Sequence, residues 1–233
     1  MRFHPGLQAI FLLVVASSFA SGADADFQPI FNGKDLTGWD GDPRLWSVQE
    51  GILRGQTALP DKMTKGNNTF LIWRGGVLKD FELKLKFRIE NGNSGVQYRS
   101  KDLGKWVMSG YQAEVENKQG KVGFLYEEKG RKYLANVGEM VEIGADGKPK
   151  VTGSLGDKQK DFIDRGYFKA KGWNEYFIIA RGNHIEQWLN GFKTVEVNDN
   201  DPKGRALEGL LGLQIHAGPP MLVEFEGILL KNL

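Results

Sequence analysis

The chain has 233 residues, 40% of them hydrophobic and 26% charged, with 31 basic against 29 acidic side chains and a net charge of +2. That balance is ordinary for a globular protein and leaves no basic stripe to suit nucleic acid. There is no cysteine, so no disulfide staples the fold and core burial must hold it together, which a chain of this length can manage.

The N-terminus departs from this frame. Arg2 and His4 precede an apolar run from Leu7 to Ala16, and small residues follow through Ala23. A short basic region, an apolar core and a small-residue cleavage site predict a secretory signal over residues 1–23. The apolar run is shorter than the ~20 residues needed to cross a bilayer, so a membrane anchor is disfavoured. The expected mature protein is residues 24–233, one domain, secreted or periplasmic, with no membrane association.

After the signal no segment of helical period appears, and the 31 glycines punctuate short apolar runs. Alternation predicts strands at Trp46–Val48, Ile52–Arg54, Phe70–Trp73, Phe81–Ile89, Gly95–Arg99, Tyr111–Glu116, Val122–Tyr126, Trp173–Arg181, His184–Leu189, Lys193–Val197, Gly209–His216 and Leu222–Lys231. The clearest is Phe81–Ile89, five apolar residues alternating with four polar ones. Arg181-Gly-Asn-His184 and Leu189-Asn-Gly-Phe192 read as hairpin turns, the second with the favoured Asn-Gly pair. Glu139–Asp161 is polar, glycine-rich and weakly periodic, and reads as a long loop. Phe162–Gly172 suits a turn or a single helical turn. The pattern as a whole is that of an all-β sandwich or barrel.

Two strands carry ionisable and amide groups on one face. In Tyr111–Glu116, side chains alternate so that Gln112, Glu114 and Glu116 point away from Tyr111, Ala113 and Val115. In Gly212–His216, Gln214 and His216 oppose Leu213 and Ile215. Glu114 and Glu116 stand about 6.6 Å apart at ~3.3 Å per residue. Paired carboxylates at about 5–5.5 Å or 6.5–9.5 Å can divide the roles of acid, base or nucleophile on a glycosidic bond. His216 is one of two histidines beyond the signal and suits a general base near neutral pH; His184 falls in a turn. Asn93-Ser-Gly-Val-Gln-Tyr-Arg99 reads as a turn entering a strand with Gln97 and Arg99 on one face, where the guanidinium fork could clamp an oxygen. Arg88 offers a similar cation on its strand. Tyr126 and Glu127 begin a polar turn that could contact a sugar, and Trp106, in the polar stretch Lys101–Ser109, is the tryptophan expected nearest solvent and available for stacking. Each group has an ordinary alternative, a solvated face or a local ion pair. No His-x-x-x-His or calcium-loop pattern marks a metal site, and no cofactor is expected.

Several motifs occur together in order. Phe31-Asn-Gly-Lys-Asp-Leu-Thr-Gly-Trp39, Asn93-Ser-Gly-Val96, Gly110-Tyr-Gln-Ala-Glu114, Trp173-Asn-Glu-Tyr176, Trp188-Leu-Asn-Gly191 and Gly212-Leu-Gln-Ile-His216 resemble the "FNGKDLSGW", "NSGI/V", "GYE-x-Q" or "GYQAD", "WNxY", "LNG" and "GLQxH" motifs of the 3-keto-disaccharide hydrolase domain family. The resemblance covers essentially the whole mature chain. It implies a concanavalin A-like jelly-roll β-sandwich, two antiparallel sheets with a concave ligand face, and action on glycosides oxidised at C3. Catalytic roles would fall to Glu114, Glu116 and His216, with Gln97, Arg99, Gln112, Gln214, Arg88, Tyr126, Glu127 and Trp106 contacting the carbohydrate. The family varies in the order of acid and amide after Tyr111, so Gln112 and Glu114 compete for the family role. Two other functions share this fold: a lectin-like carbohydrate-binding module without catalysis, and a glucanase using Glu114 and Glu116 on unoxidised polysaccharide.

Overall fold

The computed structural model describes residues 26–57, 67–156 and 159–233. The expected signal over residues 1–23 lies outside them. Seventeen strands and one short helix follow in order: β1 (Gln28–Pro29), β2 (Trp39–Asp40), β3 (Trp46–Gln49), β4 (Ile52–Gln56), β5 (Thr69–Trp73), β6 (Phe81–Glu90), β7 (Asn93–Asp102), β8 (Met108–Glu116), β9 (Leu125–Glu128), β10 (Lys132–Ala135), β11 (Glu139–Ile143), β12 (Pro149–Ser154), α1 (Gln159–Asp164), β13 (Asn174–Arg181), β14 (His184–Leu189), β15 (Phe192–Asp199), β16 (Leu210–Ile215) and β17 (Leu222–Asn232). Every predicted strand has a counterpart, with ends shifted by a few residues. The segment expected to be a long loop instead holds β11, β12 and the start of α1, because Val141 and Ile143 supply buried anchors at strand spacing.

The strands form two sheets. One has ten strands in the order β12-β11-β15-β14-β13-β6-β17-β4-β3, with β1 also on β17. The other has seven, β10-β9-β8-β7-β16-β5-β2. All pairings are antiparallel except β11 with β15, so the expected pair of antiparallel sheets holds with one parallel exception. The chain is a jelly-roll sandwich.

Alternation sets which face is core. In β6, Phe81, Leu83, Leu85, Phe87 and Ile89 are buried while the intervening residues are not. They meet Val96, Tyr98, Tyr111, Ala113, Val115, Leu213 and Ile215 of the seven-stranded sheet in one core. Burial of this apolar surface, at roughly 25 cal/mol per Å2, is the main force holding the two layers together. Hydrogen bonds also cross between the sheets: Gln187 Nε2 donates to Tyr98 Oη at 2.9 Å, and the Tyr176 hydroxyl donates to the backbone carbonyl of Glu114. The second bond ties the strand that carries Glu114 to the opposite sheet.

Candidate active site

The outer face of the seven-stranded sheet is where the sequence departs from a simple wet surface. Across β16, β7 and β8, strand pairing aligns Gly212 with Gln97 and Gln97 with Gln112, and pairs Gly95 with Glu114. Gln97, Gln112 and Gln214 point outward, as alternation requires, yet they are almost fully buried. Beside them Phe70, Ile72 and Met108 form a second small apolar cluster. Two glycines make room on this face. A Cβ on Gly95 would stand 2.4 Å from Gln112 Cδ, and one on Gly212 would stand 2.3 Å from Met108 Sδ. Gln112 therefore lies flat across Gly95.

The amides are linked. Gln97 Nε2 and Gln214 Nε2 both donate to Gln112 Oε1, at 3.4 and 2.9 Å. Gln112 Nε2 donates to Glu114 Oε2 at 2.9 Å, and Asn93 Nδ2 donates to Glu114 Oε1. Three oxygens of the network, on Asn93, Gln97 and Gln214, find no partner. A buried acceptor without a donor is costly, on the order of 1–3 kcal/mol; of the three, only Asn93 lines the cleft, where its oxygen suits a hydroxyl of a ligand.

Glu114 closes this network and is 5% exposed. No cation pairs with it among the described residues. Burial pushes its carboxyl up to about 7; the hydrogen bonds from Gln112 and Asn93 oppose that shift, and the nearby Glu116 and Glu128 charges add to it. A carboxyl titrating there can exchange a proton with substrate at neutral pH.

The cleft around Glu114 has a volume of about 300 Å3 and is lined by Asn68, Asn93, Gln112, Phe124, Tyr126, Glu128, Tyr133 and His216. Asn68 bridges it: its Nδ2 donates to Glu128 Oε1 at 3.3 Å and its Oδ1 accepts from the Ala217 N–H at 2.9 Å. Burial raises the Glu128 carboxyl, opposed by Lys129, Asn68 and His216. Burial and the Glu128 charge raise Tyr126, so its phenol stays a neutral donor. His216 is solvent-exposed and its Nδ1 lies 2.6 Å from the Ala217 carbonyl. Donation to that carbonyl places the proton on Nδ1 and leaves Nε2 directed at the cleft or solvent.

Of the residues singled out from sequence, Glu114, Gln112, Tyr126 and His216 line this cleft, and Gln97 and Gln214 support it from beneath. Glu116 lines an adjoining hollow instead. Four others do not join the cleft. Arg99 was expected beside Gln97, but a bulge between Tyr98 and Lys101 interrupts the alternation, and Arg99 adopts φ +47°. Its guanidinium is buried and donates to the Lys79, Gly182 and Ala206 carbonyls and to Asp80. Four of its five donors are spent on the protein. Arg88 sits on the ten-stranded sheet, paired with Glu224 and 4.7 Å over the Trp173 ring. Glu127 points to the opposite face of β9 from Tyr126 and binds Arg131 at 2.7 Å. Trp106 donates its Nε1–H to Asp40 at 2.7 Å, near the edge strand β2.

Asn68, Asn93, Phe124 and Tyr133 were not anticipated, and Glu128 only as part of the polar turn that Tyr126 begins. Asn93 and Glu128 had a signal: each shares a strand face with a named residue, Asn93 with Gln97 and Glu128 with Tyr126. Asn68 had none, because it precedes β5 and reaches the cleft only through the tertiary fold. Among the described residues no group of three or more His, Cys, Asp or Glu side chains is arranged to hold a metal.

The jelly roll carries an acid and a bank of amides on the outer face of one sheet, and solved structures of low identity share the fold. A Parabacteroides distasonis protein provisionally named a glycosyl hydrolase aligns with a TM-score of 0.58 at 20% identity, covering 89% of this chain and 99% of that one. A carbohydrate binding module from Bacillus subtilis aligns at 0.53 and 16% identity, over 84% and 96%. A Bacillus subtilis protein of unknown function with a galectin-like fold aligns at 0.57 and 12% identity, over 88% and 94%. No curated protein matches the sequence. The model of the 3-keto-alpha-glucoside-1,2-lyase-like domain matches residues 26–231, and the chain belongs to that family.

Proposed function

We propose that the chain cleaves the glycosidic bond of glycosides carrying a ketone at C3, with Glu114 as the base. The observation that carries this reading is a buried carboxylate set among neutral amides, held near neutrality and without a cation partner among the described residues. Such a group is prepared to take a weakly acidic proton. The C3 ketone supplies one, because it acidifies the hydrogen on C2.

The steps follow from that pairing. Glu114 takes the C2 proton, and the C2–H electrons form the enolate of the C3 ketone. The Tyr126 phenol, a neutral donor in the cleft, stabilises the enolate oxygen, a role better suited to it than to the distant Arg99. The enolate electrons then return, the carbonyl re-forms, a C1–C2 double bond appears and the C1–O bond breaks. The departing oxygen takes a proton from a nearby acid, and Glu116 in the adjoining hollow can supply it. Addition of water to C1, with return of a proton to C2, gives the free 3-keto sugar, so the sum is hydrolysis. The amide oxygen of Asn93, which lines the cleft, accepts from a sugar hydroxyl.

The test is direct. The protein, incubated with a 3-keto-glucoside and separately with its unoxidised parent, is expected to release aglycone from the first only. Glu114→Gln, shown to be folded, is expected to lose that release. Equal turnover of the unoxidised glycoside would instead support a glucanase. Tight binding of both without release would favour a carbohydrate-binding module, a reading supported by the number of amides, which bind hydroxyls but do no chemistry. A signal over residues 1–23 would place the activity outside the cytoplasm.

A further inference from the structure

We propose that the hollow adjoining the Glu114 cleft receives the leaving group of the substrate, and that it is built for a group presenting an apolar ring face. The inference rests on the reading of the Glu114 cleft given above. It deepens that reading by assigning the part of the substrate that the first cleft does not hold.

The two hollows meet across a pair of side chains. Asn93 and His216 line both. Glu114 stands on one side of that divide, and Glu116 on the other. A ring whose C2 hydrogen faces Glu114 occupies the first cleft, and its C1 substituent has a path across the Asn93–His216 divide. The second hollow, of about 350 Å3, offers that space.

The walls differ in chemistry. Five of the nine residues lining the first cleft are amides or carboxylates: Asn68, Asn93, Gln112, Glu114 and Glu128. The second hollow has Ala217, Pro219 and Met221 among its lining residues, with Glu116 and Lys118 as its charged members. Met221 is held in place from below: it is 3% exposed, its N–H donates to Thr57 Oγ1 at 3.0 Å, and a Cβ on Gly92 would come within 2.7 Å of Met221 Cβ. Gly92 has φ +74°, a conformation that favours glycine, so the approach under Met221 is built into the β6–β7 turn. A fixed apolar wall with charges beside it matches a ring that is apolar on its face and polar at its edge. A phenolic ring and the C–H face of a second pyranose both fit that description.

The experiment uses methyl glucoside, phenyl glucoside and a methyl disaccharide of matched anomeric form, with binding followed by calorimetry and by the side-chain methyl resonances of Ala217 and Met221. Binding of unoxidised ligands separates this inference from the catalytic one. The ligand carrying the ring is expected to bind about tenfold more tightly than methyl glucoside, the gain from burying one apolar ring face on a shallow wall. The Ala217 and Met221 resonances should shift with that ligand and not with methyl glucoside. A gain for phenyl glucoside alone assigns an aryl leaving group, and a gain for the disaccharide alone assigns a second sugar. In Pro219→Asp, at an exposed position, the gain should disappear. Equal affinity for all three ligands, with Met221 and Ala217 unmoved, would overturn the proposal without needing the variant. So would a Pro219→Asp protein that keeps the full gain. If 3-keto-glycosides are not cleaved but the ring-dependent gain and the shifts remain, the catalytic reading fails and the second subsite stands.

Discussion

Two buried acidic clusters sit on neighbouring strands of the same sheet and behave in opposite ways. On β8, Glu114 points outward into a cleft and meets only neutral amides. On β9, Glu127 points the other way and is tied to Arg131, which also bonds Asp199 at 2.7 Å and Asp201 at 3.3 Å. Asp199 in turn accepts from the Tyr111 hydroxyl. In the second cluster a guanidinium fork satisfies the carboxylates, so their charge is spent on holding the end of the sandwich together. In the first no cation among the described residues compensates, and the carboxyl is left with a proton affinity suited to chemistry. A buried acid with its own cation serves the fold, and one surrounded by amides is free to serve a substrate.

The sharpest test of that contrast is Glu114→Gln, which keeps the shape of the side chain and one of its two acceptor oxygens but removes the base. It should lower kcat on a 3-keto-glucoside by about 10²–10⁴-fold, measured on protein whose melting temperature is not reduced. An active variant would break the comparison. Next is Arg131→Met. It leaves Glu127, Asp199 and Asp201 buried without their cation and should destabilise by about 3–5 kcal/mol in denaturant titrations, while the fraction that remains folded keeps its activity.

The same contrast predicts a pH signature. The folded carboxyl of Glu114, at about 7, lies above its ordinary value of 4.5, so the folded state binds the extra proton between those values. Stability is therefore unaffected below about pH 4 and falls as pH rises through the window to 7, by up to about 3 kcal/mol. Glu114→Gln should lack that fall when the two proteins are unfolded in parallel at pH 4, 6 and 8. Activity runs the other way: a base must be unprotonated, so kcat/KM should rise with a midpoint near pH 7.

Gly95→Ala forces a methyl group against Gln112 and should destabilise by about 1–3 kcal/mol. Because it dislodges the amide that bonds Glu114, it should also lower activity, separating it from substitutions that only loosen the core. The smallest effect is expected for Arg88→Ala. Its partner Glu224 is buried but keeps Arg54 at 3.9 Å, and the arginine itself is half-exposed, so a loss smaller than that of Arg131→Met and unchanged turnover should be seen in melting and rate assays.

Much of the fold was legible beforehand. Phe81–Glu90 declares a half-buried strand through its own alternation, and the Asn190–Gly191 turn declares the hairpin between β14 and β15. The β11–β12 segment was not, because its buried positions are few and its surroundings polar. At the site, alternation placed Gln112, Glu114 and Gln214 on one face correctly, since a period of two holds wherever a strand is regular. It failed at Arg99, where one bulge reverses every inference drawn from counting by twos.

What the amino-acid order determined alone is the all-β class, the strand faces and the family, because these depend on local spacing and on motifs read in sequence. Only the tertiary structure decided which acids have cations and which do not. Arg131 reaches Glu127 from four residues away but Asp199 from sixty-eight, and Asn68 reaches Glu128 from sixty. The proton affinity of a carboxyl depends on the water and charge around it, and those are set by segments far apart in the chain.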